Sequence, residues 1–477
     1  MSPMAPQVGR RELLTTSGLL LGLILIFLLP LLRPGVMPSA SGILQAWPTF
    51  QTGSDYRSYN DLPSDMAMQH EPWTRYARQR LAKGELPLWN PHQAAGVPFV
   101  ANMQSAVYSP FTWIVYVMGD RWGPIIRAAA ILYLSGILAY LHLRGLGLSV
   151  RASRIGMIGW TFSGGLTHWL FWRSSLFGFL LPGSLWLTDR AFKRVDGLGS
   201  SALGLAALVA LGITAGHPER VMPCAVAAGI NLLYRLISAE GNVKSRLRIT
   251  LVLTFAGFWG AVLGACALLP FFEYSANSLA WVARAGGYEA GLLPKSASVL
   301  MLMPDLYGNR ALPFAIEWSA KWTNDCEALN PVVGLALLMA AVLICNRTKD
   351  ERRLYMVLGG LAVLLAYGVW PVWPLVNHVP VLDRMAWGRF SALLAYSVCV
   401  LAAMALDDLE QGRVDAVQGI GGEAGPAAER GRGPCGVELP APGAFHAVAG
   451  RSELVDRVCG AGSGNVAGYN GYVSGHR

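Results

Sequence analysis

The sequence predicts an all-α fold: a polytopic transmembrane helical bundle of about ten spans, with a large extracytoplasmic loop after the first span. Three observations predict it. The 477 residues are 53% hydrophobic and only 14% charged, against about a quarter charged in soluble domains, so the chain carries more apolar surface than a soluble core can hide. Apolar windows of helical length recur along it. Lys and Arg are concentrated in alternate connections between those windows.

In chain order, the windows place spans at 13–33, 124–143, 152–171, 175–189, 199–215, 219–236, 249–270, 330–345, 354–370 and 389–406. The first follows Arg10 and Arg11, is long for a signal-peptide core, and ends in Leu-Pro-Leu-Leu-Arg-Pro rather than a small-x-small cleavage site. It reads as an uncleaved span. Val107 to Met118 is apolar but short, which suits a re-entrant or interfacial segment.

Alternate connections hold Arg144, Arg151 and Arg154; then Arg190, Lys193 and Arg194; then Arg235, Lys244, Arg246 and Arg248; then Arg347, Lys349, Arg352 and Arg353. Together with Arg10 and Arg11 they fall on one side, which the positive-inside rule makes cytoplasmic. Both termini are then cytoplasmic, and 34–123, 172–174, 216–218, 271–329 and 371–388 face outward. The net charge of +9 follows from this bias and calls for no nucleic acid. From Asp407 the chain turns to Gly, Ala, Pro, Arg and Glu without apolar period, so a membrane domain, 1–406, precedes a disordered or aberrant cytoplasmic tail, 407–477. The seven cysteines form no CxxC or CxxH, so neither a disulfide framework nor a zinc site is indicated. No Walker A, GxSxG, HExxH or GxGxxG stands in a suitable context, which speaks against soluble nucleotide-dependent chemistry.

Polar chemistry gathers on the outward side, above all between Asp61 and Pro110. Pro63 and Ser64 read as a helix start with Asp65 in its first turn, and Gln69 lies one turn later on the same face. Pro72 begins a second helix that Gly84 ends; it carries Arg75, Arg78, Arg80 and Lys83 and would suit a membrane surface. A carboxylate at the bilayer edge could serve as general base or hold a metal ion against a diphosphate, while a plain capping role for Asp65 competes. Trp89, Asn90 and His92 sit in a turn stiffened by Pro87 and Pro91, and Asn102 and Gln104 follow. Flat apolar faces and amides are what sugar recognition uses; a loop packed on its own prolines and aromatics would read the same way.

Gly216-His217-Pro218-Glu219 forms an outer turn in which His217 is either a cavity residue or part of a plain hairpin. Arg384 and Arg389 flank Trp387 on the outer side, against the charge trend. They ask for an anionic partner, a lipid-linked phosphate or an internal acid such as Asp383. His168 and Arg173 could line the same cavity or snorkel. Glu273, Asp305, Glu317, Asp325 and Glu327 read as mostly solvated.

Asp65-x-x-x-Gln69-x-x-Pro72, Gly84-x-x-Pro87-Leu88-Trp89-Asn90-Pro91 and Gly96-x-Pro98-Phe99-x-Ala101-Asn102-x-Gln104 resemble the YfhO-type bacterial membrane protein family. Gly216-His217-Pro218, Pro270-Phe271-x-Glu273 and Pro304-x-x-x-Gly308 follow in the expected order, so the resemblance spans roughly residues 10 to 406. That family is similar to the glycosyltransferase C superfamily. The resemblance implies a multi-pass protein of the bacterial inner membrane that moves a sugar from a polyprenyl-phosphate donor to a cell-envelope glycan or lipid acceptor. The transfer would occur on the extracytoplasmic face, among membrane lipids. It implies Asp65 as the catalytic acidic residue and maps Trp89, Asn90, His92, Asn102 and Gln104 to the family loop without individual roles. These residues and Gln69, on the face of Asp65, are candidate substrate contacts. From the residues alone, His217, Arg384 and Arg389 are added as substrate contacts. Metal ligands and cofactor stay unknown, with a divalent ion left open. A transporter or flippase, or a non-catalytic assembly protein for envelope polysaccharide, is the alternative. Charges buried in span centres, of which the sequence gives few, would favour transport. An Asp65 facing bulk water would favour assembly.

Overall fold

Helices make up nearly all the regular structure, and the only strands among the described residues are Trp89–Asn90 and Val97–Pro98, paired antiparallel. The computed structural model describes residues 8–46, 48–50, 64–287, 289–301 and 350–412, all within one unit, Met1–Gly422. Pro63, the window 330–345, the Pro304 and Gly308 step, Asp305, Glu317, Asp325, Glu327 and the tail beyond 412 lie outside the described residues.

The helices are α1 (Arg10–Leu32), α2 (Glu71–Leu81), α3 (Pro110–Gly145), α4 (Val150–Thr161), α5 (Gly164–Thr167), α6 (Phe177–Lys193) and α7 (Leu198–Thr214). They continue with α8 (Pro218–Ser238), α9 (Val243–Leu263), α10 (Ala265–Ala276), α11 (Leu279–Ala283), α12 (Asp350–Ala366), α13 (Val372–Asn377) and α14 (Ser391–Glu410). Among the described residues five stretches are long and apolar enough to cross a membrane: α1, α3, α8, α9 and Trp387–Glu410, which contains α14. The other windows that fall on described residues coincide with shorter helices, α7 being the most apolar of them.

Two windows are not single helices. The one at 152–171 stops at Thr161, because Ser163, Gly164 and Gly165 favour a break over another helical turn. The carbonyls released there, of Leu170, Phe171 and Trp172, accept from the Arg127 guanidinium at 3.3, 3.4 and 2.8 Å, which is how irregular backbone is tolerated inside an apolar bundle. The window at 249–270 divides at Gly264 into α9 and α10. The short segment 107–118 becomes the opening of α3, set off from the rest of that helix at Gly119, whose φ is +75°.

The centre of the bundle is α3 against α6 and α4, α6 against α7 and α8, and α14 against α12 and α4; α1 covers α3, and α9 covers α7. Burial divides these roles: 89% of the apolar window at α14 is enclosed, against 22% in α1 and in α9. The peripheral helices turn apolar faces outward, as helices bathed in lipid do. Small residues bring axes together. A Cβ on Gly260 would stand 2.5 Å from the Ala206 carbonyl of α7, and one on Gly156 2.9 Å from Ala403 of α14.

Ion pairs sort to the two ends of the bundle. At the ends next to the basic connections, Glu12 pairs with Arg144 at 2.7 Å, Arg235 bridges Asp189 at 2.8 Å and Glu351 at 2.7 Å, and Arg352 pairs with Asp408. At the ends next to the long connections, Glu219 receives Arg284 at 2.6 Å and Arg389 at 3.0 Å. Buried ionisable groups stand near the ends of the windows rather than at their centres. Arg127, His142, Asp189, Arg220 and Arg235 are all buried. His142 holds the Tyr396 hydroxyl at 2.6 Å and the Tyr355 hydroxyl at 2.8 Å, and stands 3.6 Å from Asp189, to which Asn231 donates at 2.8 Å.

Candidate functional site

The site is built on the segment between α1 and α3, and its shape starts with Pro72. A proline has no N–H to give the carbonyl four residues back and crowds that carbonyl. The chain answers with a π turn over Met66–His70, closed by the Glu71 N–H on the Met66 carbonyl, and runs directly into α2. Ser64 and Asp65 therefore continue into α2 rather than forming a separate helix, and Asp65 makes no cap hydrogen bond. The wide turn carries His70 inward, where it is buried. The Glu71 carboxylate accepts from the Ser39 hydroxyl and the Ala40 N–H, each at 2.7 Å, and so ties 39–40 to α2.

One face of α2 buries Trp73 and Ala77 with Phe99, Val100, Val107 and Tyr116 in a satellite core. Its basic face is ion-paired: Arg75 and Arg78 reach Asp120 at 3.2 and 2.9 Å, and Arg80 reaches Glu85 at 2.8 Å. The Trp73 indole donates to Gln93 at 3.0 Å, a contact not foreseen in the sequence. In the following hairpin Gly96 holds φ +116°, and a Cβ there would stand 2.6 Å from the Trp89 ring. Trp89 thus lies over bare backbone with half its surface exposed, 52%.

The sequence-predicted site residues divide by environment. Asp65 is exposed, and its one side-chain partner among the described residues is Gln69, at 3.5 Å. His92 and Gln104 are exposed, His92 edge-on to Tyr76 at 5.7 Å. Asn90 and Asn102 build turns instead, their side-chain oxygens accepting from the His92 N–H at 3.0 Å and the Ser105 N–H at 2.8 Å. Arg384 donates from its Nη1 alone to both Asp383 oxygens, at 2.6 and 2.8 Å, and lies over the Trp281 ring at 4.4 Å. Arg389 faces Glu219. The anionic partners that these two arginines call for are thus supplied by the protein.

The turn at 216–217 meets the first segment. Gly216 has φ +89°, and a Cβ on it would come within 2.9 Å of Ala106, 3.1 Å of the Met103 carbonyl and 3.4 Å of Arg173. Met103 and Ala106 themselves hold φ +59° and +47°, a costly region for side-chain-bearing residues. The Nδ1 of His217 is enclosed without a hydrogen-bond partner. Burial, then the charges of Arg389 and Arg220, holds this imidazole well below its usual pKa.

Between α2, the upper part of α3 and the 171–173 connection lies a cavity of about 70 Å³. His70, Glu71, Thr74, Asp120, Arg127 and Arg173 are among the residues that line it, as is Met66, the neighbour of Asp65; Asp65 itself does not. Arg127 donates to the three carbonyls named above and to the Ser175 hydroxyl at 3.1 Å, and its Nε has no partner. Arg173 donates to the hydroxyls of Thr112 and Thr74, each at 2.5 Å. Both arginines are buried, and among the described residues neither pairs with a carboxylate. Burial, then the charges of Arg173 and Arg127, lowers the His70 pKa to about 3, so the ring is neutral and its Nδ1 is unpartnered.

Arg127 escaped sequence reading because one Arg barely alters the mean of an apolar window; the signal was that single charge in 124–143. Arg173 was singled out, and it does line the cavity. No three His, Cys, Asp or Glu side chains come together as a metal site among the described residues. The Asp65 and Gln69 pair alone is a poor donor set for a divalent ion. Comparisons with protein-family models, curated proteins and solved structures find no match to this chain.

Proposed function

We propose that this chain is a ten-span protein of the bacterial inner membrane with both termini in the cytoplasm. It transfers a sugar from a polyprenyl-phosphate donor to a cell-envelope glycan or lipid on the extracytoplasmic face. The observation that carries the reading is the meeting of connections assigned to one side of the membrane. Met103 and Ala106, Arg173, and Gly216, far apart in sequence, pack on one another beside a cavity lined by arginine. The contacts at the opposite end, Glu12 with Arg144 and Arg235 with Glu351, likewise join only connections assigned inward. In this reading Asp65, next in the chain to cavity-lining Met66, is the general base, and Trp89 and Gln104 offer a stacking face and an amide to a sugar. The exposure of Asp65 outside the cavity favours instead the alternative of a non-catalytic assembly protein.

The enclosed network of His142, Asp189, Asn231 and Arg235 favours a second reading, movement of a lipid-linked intermediate through the bundle. Replacing Asp65 by Asn separates the two. Sugar transfer by purified Asp65→Asn should be lost with membrane abundance unchanged. Unchanged transfer removes the role given to Asp65, and lipid translocation without transfer favours the second reading.

A further inference from the structure

We infer that the cavity between α2 and α3 is a phosphate site formed by Arg127 and Arg173, with His70 as a third donor. The inference deepens the reading above and rests on it only for the membrane setting that would bring a lipid phosphate to the cavity.

Three observations carry it. First, two guanidinium groups are buried at the same cavity without a carboxylate partner. Their present acceptors are carbonyls and hydroxyls, which satisfy hydrogen bonds but do not neutralise charge. Second, the carboxylates of the lining are already engaged. Asp120 is shared by Arg75 and Arg78, and Glu71 is hydrogen-bonded by Ser39 and Ala40 but keeps its charge, so the lining sets three arginines against two carboxylates. The cavity therefore keeps an excess of positive charge that an anion would balance. Third, two enclosed nitrogens at the cavity residues, Arg127 Nε and His70 Nδ1, have no partner, and buried polar atoms of this kind ask for one.

The size and charge point to phosphate. At about 70 Å³ the cavity exceeds several-fold the ~10–15 Å³ that one water needs, so it takes a compact head group rather than a whole sugar chain. A phosphate monoester carries roughly −1.5 to −2 charges at neutral pH, which matches two arginines, and planar guanidinium forks suit phosphate oxygens. His70 stays neutral there and can donate from Nδ1 without adding charge. The same chemistry is offered by a polyprenyl monophosphate and by free inorganic phosphate.

The test is equilibrium binding to the purified full chain in detergent, with polyprenyl monophosphate and inorganic phosphate as separate probes. Saturable binding is expected, weakened at least ~10-fold by Arg127→Gln and by Arg173→Gln, the scale of one lost charged hydrogen bond, and unchanged by Arg80→Gln, whose partner is Glu85. Binding of the lipid alone identifies a lipid headgroup site, and displacement of the lipid by inorganic phosphate at similar concentration identifies a free-phosphate site. Absence of saturable binding with both probes, or binding indifferent to both arginines, overturns the proposal. Should the arginine variants fail to fold, Thr74→Cys keeps both arginines and puts a thiol on the cavity wall. Its alkylation should be slowed at least ~10-fold by a bound probe, and an unchanged rate counts against the site. Binding is read without transfer, so a protein that binds phosphate but moves no sugar keeps this site and loses the enzymatic reading.

Discussion

His70 sits against two arginine charges in a closed space, so its protonation works against the fold. Its pKa is about 3 in the folded protein and about 6.5 in an unfolded chain. The unfolded chain therefore binds more protons as pH falls below that value, and the stability tied to neutral His70 is complete above about 6.5 and lost progressively toward 3. By pH 5 the loss is on the order of 2 kcal/mol. His217, shifted in the same direction, adds to it. The melting temperature in detergent should thus be lower at pH 5 than at pH 7.5, and His70→Asn should reduce the difference. A melting temperature indifferent to pH over this range would remove the placement of His70 among these charges.

The same scale explains which site residues were legible. Trp89 and Gln104 are exposed, which leaves them available for the sugar contacts proposed for them. Asn90 and Asn102 have the same chemistry, but their oxygens fold the turns. Sequence cannot separate an amide that greets a ligand from one that closes a turn. Arg384 and Arg389 show the same ambiguity, resolved by Asp383 and Glu219.

At the scale of elements, two devices shape the site end. One is the π turn forced by Pro72, invisible to a helix reading that treats proline as a start signal. The other is the hairpin, where bare Gly96 lets Trp89 lie flat on the backbone. Gly96→Ala should push the indole away and strain a positive φ, costing about 1–3 kcal/mol; a shift in the melting temperature and in proteolysis of 84–109 would report it, and an unaltered protein would contradict this geometry. At the opposite end, Asp189 serves Arg235, Asn231 and the ring of His142 at once. Asp189→Leu leaves Arg235 buried with less compensation and should destabilise by about 3–5 kcal/mol, read as lost folded yield in detergent. Arg151→Ala, whose pair with Glu410 is solvent-facing on the arginine side, should leave the yield unchanged. Equal effects of the two would mean that the network does not hold the helices.

For the molecule as a whole, apolar windows located α1, α3, α8, α9 and α14 because lipid and protein interior select the same side chains. Averages over windows could not reveal the break after Thr161, since Ser163, Gly164 and Gly165 are too few to lower an otherwise apolar mean. They also concealed the charges of Arg127 and Asp189, whose partners come from other helices. The proposed orientation can be probed in a cysteine-free background. Gln104→Cys should react with an impermeant maleimide in intact spheroplasts, and Arg248→Cys only after permeabilisation; both are exposed. The reverse pattern would invert the topology and place the cavity in the cytoplasm.

Sugar transfer by the purified wild-type protein in proteoliposomes, from labelled polyprenyl-phosphate sugars to envelope lipid and glycan extracts, tests the central claim most directly. The account predicts that label leaves one of the donors and appears in an acceptor, with the rate falling when Arg127 or Arg173 is replaced by Gln. Donors that stay intact across the panel, under conditions where the protein binds them, would contradict it.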